Sequence, residues 1–329
     1  MTTREHINEY FNGRPFALLC ALALMAMSAV ALSSGLQPPT GQSPGIFFSL
    51  KDELIERGPL SVVINVLSLL ATGGIMLAVN KVYSFVRSVT HMLVSAFFLL
   101  QLANPLGLAS FNAGTLLCLV TANSILPLFA SYQDRHSQRS IFLIFAIIAA
   151  GSMFHYAFLA LIPAFCLGFL YMGVFNIKGL LAMLFGLVTP FWIVLGLGIV
   201  SLDDFNPPQA AGIWHLIGQP QINRLLLLAL ATATTGIILA VSNLFTIINY
   251  RMQTRVYNYF LVVLLVATVI ALCVNYRDVV VYLPLLNLTV AVQIAHAHTV
   301  KTTFHNRYVL LLLFIAACVG FGVTNLLLP

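Results

Sequence analysis

Charged side chains are scarce in this chain of 329 residues, because only 7% of them are Asp, Glu, Lys or Arg while 60% are hydrophobic. They stand between long apolar runs or within a few residues of a run's end, and the mean hydropathy is +0.99. A water-soluble fold of this length would expose too much apolar surface. The composition therefore excludes a soluble globular protein and indicates a multi-pass membrane protein.

Recognisable catalytic and cofactor motifs are also lacking: the chain has no GxSxG, HExxH, Walker or dinucleotide-binding pattern. Its five cysteines fall within apolar runs and lack metal-ligand spacing. His296, His298 and His305 have no carboxylate or cysteine nearby that would complete a metal site. We therefore predict no metal and no cofactor. The basic residues are scattered over short loops, which argues against a nucleic-acid partner.

The apolar runs predict an all-α, polytopic transmembrane helix bundle of about eleven spans. The spans fall near 16–36, 60–79, 89–108, 113–130, 140–152, 154–174, 180–200, 222–245, 258–275, 279–296 and 308–328. Of the 15 Lys and Arg residues, all but Lys51, Arg57, Arg224 and Arg277 then lie in loops on one side. By the positive-inside rule, the N-terminus is cytoplasmic and the C-terminus periplasmic.

The segment 140–176 is unusually short for its place in this pattern. It must hold two crossings, although its length would be more than sufficient for only one. A single crossing would reverse the side of every later loop and place Arg251 and Arg255 outside, against the charge rule. We predict a short or broken helix pair with its break around Gly151. Such short elements persist only where other helices or a cavity surround them, so the pair is expected inside the bundle.

The chain reads as a single integral-membrane domain, 1–329, with a cytoplasmic tail at 1–15 and two large external loops at 37–58 and 201–221. In the first loop, apolar residues recur on one helical face of 46–57, which predicts an amphipathic helix lying on the membrane surface. The second loop carries Asp203, Asp204 and Trp214 among prolines. Trp214 is suited to the headgroup level of the bilayer.

The external loops collect most of the acids, and three of them are the candidate catalytic residues: Asp52, Glu53 and Asp204. A carboxylate at the mouth of the bundle could act as a general base. Arg224 and Arg277 lie on the side that the charge rule disfavours, so they are candidate ligands for a substrate phosphate. The alternative is that these are ordinary solvated charges and that Arg277 pairs with Asp278.

His155 is the one ionisable side chain that the pattern places deep in a span, within the short helix pair. Intramembrane histidines are functional candidates, and we assign His155 and Trp214 to substrate binding together with the two arginines. The alternative for His155 is a neutral imidazole that bonds to a neighbouring backbone carbonyl. Asparagines such as Asn65, Asn123 and Asn287 are read mainly as hydrogen-bonding groups between helices.

Four segments carry a resemblance: YQDRHSQRSIF, FHYAFLALIPAFCLGFL, NIKGLLAMLFGLVTPFW and YLPLLNLTVAVQIAH. From about Asn112 onward, over about two-thirds of the chain, they resemble an uncharacterised family of polytopic inner-membrane proteins from Bacteroidota. That resemblance implies a multi-pass protein of the bacterial inner membrane and no particular activity. The layout also loosely resembles GT-C glycosyltransferases and O-antigen polymerases, which implies that Asp52 or Glu53 matches their first-loop acid by location.

Three functions stay open. The first is an enzyme of the cell envelope, GT-C-like or polymerase-like, that acts on a polyprenyl-phosphate-linked sugar at the periplasmic face. The second is a non-catalytic membrane subunit or assembly factor of an envelope complex, which would have protein partners. The third is an uncoupled lipid or solute transporter with a polar path lined by Asn65, Asn123, His155 and Asn287. We favour the first, with membrane lipid as the expected partner.

Overall fold

The computed structural model describes residues 10–36, 45–48, 58–86, 90–134, 136–207, 220–299 and 307–327, and these residues form an all-helical bundle. Short 3-10 helices occupy Tyr156–Ala160, Leu202–Asp204 and Tyr276–Asp278. The α-helices in the described residues are α1 (Arg14–Ser33), α2 (Pro59–Tyr83), α3 (Met92–Leu102), α4 (Pro105–Leu108), α5 (Ala113–Ala130), α6 (Gln138–Phe154), α7 (Leu161–Tyr171), α8 (Ile177–Gly196), α9 (Pro220–Ile247), α10 (Met252–Val274), α11 (Val279–Thr299) and α12 (Arg307–Leu327).

Eight helices in the described part of the chain are long and apolar enough to cross a membrane: α1, α2, α5, α8, α9, α10, α11 and α12. Three shorter apolar helices, Met92–Leu102, Gln138–Phe154 and Tyr156–Tyr171, occupy the other predicted crossings. By helix length and composition, the chain is a multi-pass helical membrane protein. The total of eleven spans and the sides of the two termini stay predictions.

Asparagine and proline set where several helices begin. Asn112 and Asn176 precede α5 and α8, and each side chain accepts a backbone N–H from the first turn of its helix. Such caps satisfy N–H groups that have no partner within the helix. Pro59 opens α2 at a position where the missing N–H costs nothing.

The third crossing is broken, although the sequence predicted one continuous run over 89–108. Helix α3 ends at Leu102, and α4 starts at Pro105. Proline disfavours helical geometry in the residue before it, and Asn104 is accordingly non-helical, with φ −121° and ψ 74°. The Asn104 side chain then caps α4 by accepting the N–H of Gly107 at 3.2 Å.

Helices α3 and α11 form the interior of the bundle. Every residue of α3 is buried, and the spanning window of α11 is 100% buried. Helix α11 packs against α3, α5, α9 and α10. Its apolar residues surround the whole helix, which is the pattern of a helix enclosed by protein. The short helix pair was expected there, but α6 buries only one face.

The chain reverses at His155, four residues after the predicted break at Gly151. Gly151 lies within α6, and a Cβ built on it would come within 2.3 Å of the Phe158 ring. The missing side chain thus makes room for Phe158 of the following 3-10 helix. This close approach lets the chain fold back directly after α6.

Backbone hydrogen bonds join loops that the charge pattern assigns to one side. At one end, Ile46 N donates to Ser152 O at 3.2 Å, and Asn206 N donates to Ile46 O at 2.9 Å. At the opposite end, Gln133 N donates to Met172 O at 2.9 Å. These contacts agree with the predicted alternation of loops. The end that holds the predicted external loops is called the outer end below.

Candidate functional site

A histidine and an aspartate meet inside the bundle at its outer end. His155 Nε2 lies 3.8 Å from Asp278 Oδ2, and the two side chains are 2% and 0% exposed. His155 directly follows α6, while Asp278 ends the 3-10 helix that leads into α11. Ionisable side chains buried among membrane helices are costly, so they usually pair and often mark function.

The backbone fixes the orientation of His155. Its Nδ1 accepts the N–H of Ala157 at 3.1 Å, so the hydrogen-bond network assigns the proton of a neutral imidazole to Nε2, which faces Asp278. The imidazole therefore accepts a backbone N–H, whereas the structural alternative had it donating to a carbonyl. At 3.8 Å the contact with Asp278 is electrostatic, and a shift of about 1 Å would form a hydrogen bond.

Asp278 is surrounded by further polar side chains. Asn275 Nδ2 donates to Asp278 Oδ2 at 2.6 Å. Tyr282, one turn into α11 and 4% exposed, interacts with both Asn275 and Asp278. His155, Asn275, Asp278 and Tyr282 are called the outer polar cluster. Donors to an ionised carboxylate form stronger bonds than neutral pairs, which offsets part of the cost of burying Asp278.

Arg277 directly precedes Asp278 in sequence, so its backbone lies next to the outer polar cluster. The guanidinium Nε of Arg277 is buried and has no hydrogen-bond acceptor. A buried donor without an acceptor costs about 1–3 kcal/mol, and more when it belongs to a charged group. This guanidinium is accordingly suited to an anionic acceptor such as phosphate.

The two predicted external loops meet over this end in their described parts. Phe48 N donates to Met153 O at 2.9 Å, and Asn206 N donates to Ile46 O at 2.9 Å. The hydroxyl of Tyr156, next to His155, donates to the carbonyl of Asn206. These hydrogen bonds, between Ile46–Phe48, Met153, Tyr156 and Asn206, are called the loop clamp. They tie both loops to the helix pair that carries His155.

Asp204 caps a turn in the second loop and lies outside the outer polar cluster. The side chain is exposed, and its Oδ2 accepts the N–H of Ser201 at 2.8 Å and the Ser201 hydroxyl at 2.9 Å. These bonds, the backbone one first, hold the pKa of Asp204 below its usual range. Its local position is that of the acid in a capping box.

The other sequence-predicted site residues are only partly placed. Arg224 is half-buried near the start of α9. The structure therefore brings His155 together with the segment that carries Arg277, and it puts Asp204 in a neighbouring loop. Three candidates lie outside the described residues: Asp52, Glu53 and Trp214.

The polar path expected of a transporter is not continuous. Asn65 and Asn287 are buried and donate to the backbone carbonyls of Gly107 at 2.9 Å and Leu100 at 3.2 Å. Asn123 instead lies on the exposed face of α5. Two of the asparagines therefore join helices, as the sequence indicated, and Asn123 faces away from the interior.

Open space is distributed unevenly in the described part of the chain. A cavity bordered by Ala157 and Tyr282, beside the outer polar cluster, has a volume of only about 10 Å³. A cavity of about 440 Å³ lies between α9, α11 and α12, towards the opposite end. The outer polar cluster is therefore closed in this conformation.

Comparison with known proteins assigns the chain to a family. A family model matches residues 52–327, which is most of the chain. The chain belongs to DUF6427, a family of unknown function. No curated protein and no solved structure matches it. Membership in DUF6427 confirms the resemblance to an uncharacterised family, and the matched region contains the whole outer polar cluster. The comparisons give no similarity to GT-C enzymes and no source organism.

Asp278, Asn275 and Tyr282 are the members of the site in this DUF6427 chain that the sequence did not single out. The available signal was the run from Val279, which is apolar on every face and so predicts an enclosed helix. An acidic residue directly before such a helix is therefore expected to lie in the interior of the bundle as well. Asp278 stands at a span boundary, so the sequence pattern groups it with the external loop acids.

Proposed function

We propose that this protein acts on a polyprenyl-phosphate-linked glycan at the outer face of a bacterial inner membrane. The observation that carries the proposal is the buried His155–Asp278 pair beside the unsatisfied guanidinium Nε of Arg277. Transfer of a lipid-linked sugar requires a group that takes a proton from the acceptor hydroxyl and a cation near the phosphate. The outer end supplies both kinds of group within one segment of the fold.

In this proposal, Asp278 is the proton acceptor. His155 Nδ1 is held by the Ala157 N–H, so its Nε2–H can only donate towards the Asp278 carboxylate. The imidazole then orients the carboxylate, and Arg277 binds the phosphate of the lipid carrier together with Arg224. The geometry favours Asp278 over Asp204 for this role, because Asp204 is exposed and already accepts two bonds from Ser201.

Asp52 and Glu53 stay proposed as further acids of the same reaction. The described segment of their loop ends at Phe48, which the loop clamp ties to Met153 near His155. Asp52 follows Phe48 by four residues, and an extended chain of that length reaches at most about 14 Å. Substrate access would require the loop clamp to open, as lid loops do in many enzymes.

The test is genetic complementation with quantification of lipid-linked intermediates. Asp278→Asn and Arg277→Gln should make polyprenyl-linked glycans accumulate in membrane extracts, measured by mass spectrometry at matched protein levels. Asp203→Asn removes an exposed acid from the neighbouring loop and should behave as wild type. Alanine at Asp52, Glu53 or Arg224 is expected to act like the first two substitutions.

The proposal fails if Asp278→Asn and Arg277→Gln both reach the membrane and leave the intermediates at wild-type levels. Tyr282→Phe serves as a second variant, because it keeps the buried ring and removes only the hydroxyl that interacts with Asn275 and Asp278. It should lower turnover without lowering the amount of folded protein. A lowered amount with unchanged turnover per molecule would indicate a purely structural cluster.

One observation favours the second candidate, a non-catalytic subunit or assembly factor of an envelope complex. The outer polar cluster is closed, and the cavity of about 10 Å³ beside it cannot hold a sugar. In that case the loop clamp would present the two external loops as a docking surface. Purification in mild detergent would then recover a stoichiometric protein partner, and Tyr156→Phe, which loosens the clamp, would reduce its recovery.

A further inference from the structure

A lateral furrow runs along the bundle between α9 and α12. Helix α12 packs on α3 and α4, while α9 packs on α10 and α11, so the two helices leave a gap between them. Two cavities fill that gap, with volumes of about 440 Å³ and about 90 Å³. Both are lined by Thr235 of α9 and Phe314 of α12, so the two cavities adjoin, and together they are called the furrow.

The furrow extends over nearly the thickness of a hydrocarbon layer. Its lining runs along α9 from Leu228 to Thr246, which at 1.5 Å per residue is about 27 Å. The hydrocarbon core of a bilayer is about 30 Å thick, so one leaflet accounts for about 15 Å. The furrow is therefore longer than an ordinary acyl chain anchored in one leaflet.

The furrow is narrower than a protein helix. Its volume divided by its length, widened by the radius of the atoms that would fill it, gives a mean width of about 8 Å, whereas a helix with its side chains is about 10–12 Å across. A hydrocarbon chain, whose carbons make contacts at about 4 Å, can enter a furrow of this width. The furrow thus admits an extended hydrocarbon chain and not a helix.

A cationic residue lies one helical turn beyond the outer end of the furrow's lining. Arg224 precedes Leu228 by four residues on α9, so the two side chains share a helix face. Arg224 is half-buried and lies on the side of the membrane where the charge rule disfavours basic residues. Its position suits the phosphate of a lipid whose chain enters the furrow.

We propose that the furrow between α9 and α12 binds the isoprenoid chain of a polyprenyl phosphate, with the phosphate at Arg224. This inference rests on the proposed function, since it assigns the carrier lipid of the same reaction a second binding region. The isoprenoid chain is chosen over a phospholipid because the furrow extends over nearly the thickness of the hydrocarbon layer, beyond the reach of a chain anchored in one leaflet. The chain would lie against α11 at Val290 and Ile294.

Two adjacent threonines provide a matched pair of variants. Thr234 and Thr235 are both exposed, and each hydroxyl donates to the carbonyl of Ala231 in the same helix. Only Thr235 lines the furrow. Thr235→Trp therefore obstructs the furrow, whereas Thr234→Trp adds the same side chain to a face outside it.

The experiment is native mass spectrometry of the purified full-length protein with added lipid. The probes are a long-chain polyprenyl phosphate, farnesyl phosphate and phosphatidic acid, which all carry a phosphomonoester. The long polyprenyl phosphate should bind with one-to-one stoichiometry and at least about tenfold more tightly than the other two. Thr235→Trp and Arg224→Gln should each weaken that binding by about tenfold, and Thr234→Trp should leave it unchanged.

Equal binding of phosphatidic acid or farnesyl phosphate would overturn the proposal, as would equal loss in the two tryptophan variants. These outcomes are separate from the test of the outer polar cluster. If lipid binding does not depend on Thr235 but Asp278→Asn still blocks turnover, the furrow proposal is refuted and the proposed function stands. If lipid binding depends on Thr235 but turnover does not depend on Asp278, the furrow proposal stands and the role of the outer polar cluster is refuted.

Discussion

The structure predicts the size of the interaction free energy between the side chains of His155 and Asp278. At 3.8 Å and an effective dielectric constant of about 20, two unit charges attract each other by about 4 kcal/mol. If the imidazole is neutral, only a long dipolar contact remains, with a coupling of about 1 kcal/mol or less. A double-mutant cycle therefore reports whether this buried pair is charged.

The cycle uses His155→Gln, Asp278→Asn and the double variant, with free energies of unfolding measured in detergent or bicelles. Removing one partner of a buried ion pair typically costs about 3–5 kcal/mol. For a charged pair, we expect the double variant to be less destabilised than the sum of the single variants by about 2–4 kcal/mol. Each variant keeps a polar side chain of similar size, which limits changes in packing.

A neutral hydrogen bond in the same bundle serves as the control. Thr115 Oγ1 donates to Asn65 Oδ1 at 2.6 Å, and both side chains are buried. The cycle of Thr115→Val with Asn65→Leu should give a coupling of about 0.5–1.5 kcal/mol. Additive effects at His155 and Asp278, within about 0.5 kcal/mol, would refute a charged pair, because independent sites add to that accuracy.

Three further predictions concern the hairpin and the loops. Gly151→Ala should destabilise the protein by about 1–3 kcal/mol through overpacking, whereas Gly74→Ala, at an open and exposed helix position, should stabilise it by up to about 1 kcal/mol. Unfolding free energies that change in the same direction would contradict this. Tyr156→Phe removes the hydroxyl bonded to Asn206 and should speed amide hydrogen exchange over 45–48 and 201–207; unchanged exchange would show that the clamp does not need it. The pKa of Asp204 is lowered in the fold, so its cap is fully present above the unfolded value of about 3.9 and is lost as pH falls through the lower folded value. Exchange protection of 202–205 should follow that pH dependence in the wild type and not in Asp204→Asn.

Much of the fold could be predicted from the sequence, because the signals are local. The apolar runs matched helices at each predicted crossing, and the loops that the charge pattern grouped together are in contact at Ile46 and Asn206. The break after Leu102 was missed, although Pro105 carried its signal. The pattern predicts the break around Gly151, whereas the chain reverses at His155, and Gly151 instead leaves room for the ring of Phe158.

The candidate site was only partly predictable. His155 was found because an ionisable residue stands out in an apolar run. Asp278 was not found, because a residue at a span boundary can face either water or the interior of the bundle. Which of the two it faces depends on the helices that pack around it. Arg277 was singled out by topology, but its buried, unsatisfied Nε is a property of packing alone.

The sequence by itself determined that this is a multi-pass helical membrane protein and where most of its helices run, since a bilayer requires apolar segments whose backbone hydrogen bonds are satisfied within each helix. Those requirements act on contiguous residues. Only the tertiary structure decided that Asp278 meets His155, that the external loops join at Asn206, and that a furrow stays open between α9 and α12. These features depend on which helices pack together, and between uniformly apolar helices that choice is made by side-chain shape and interhelical bonds.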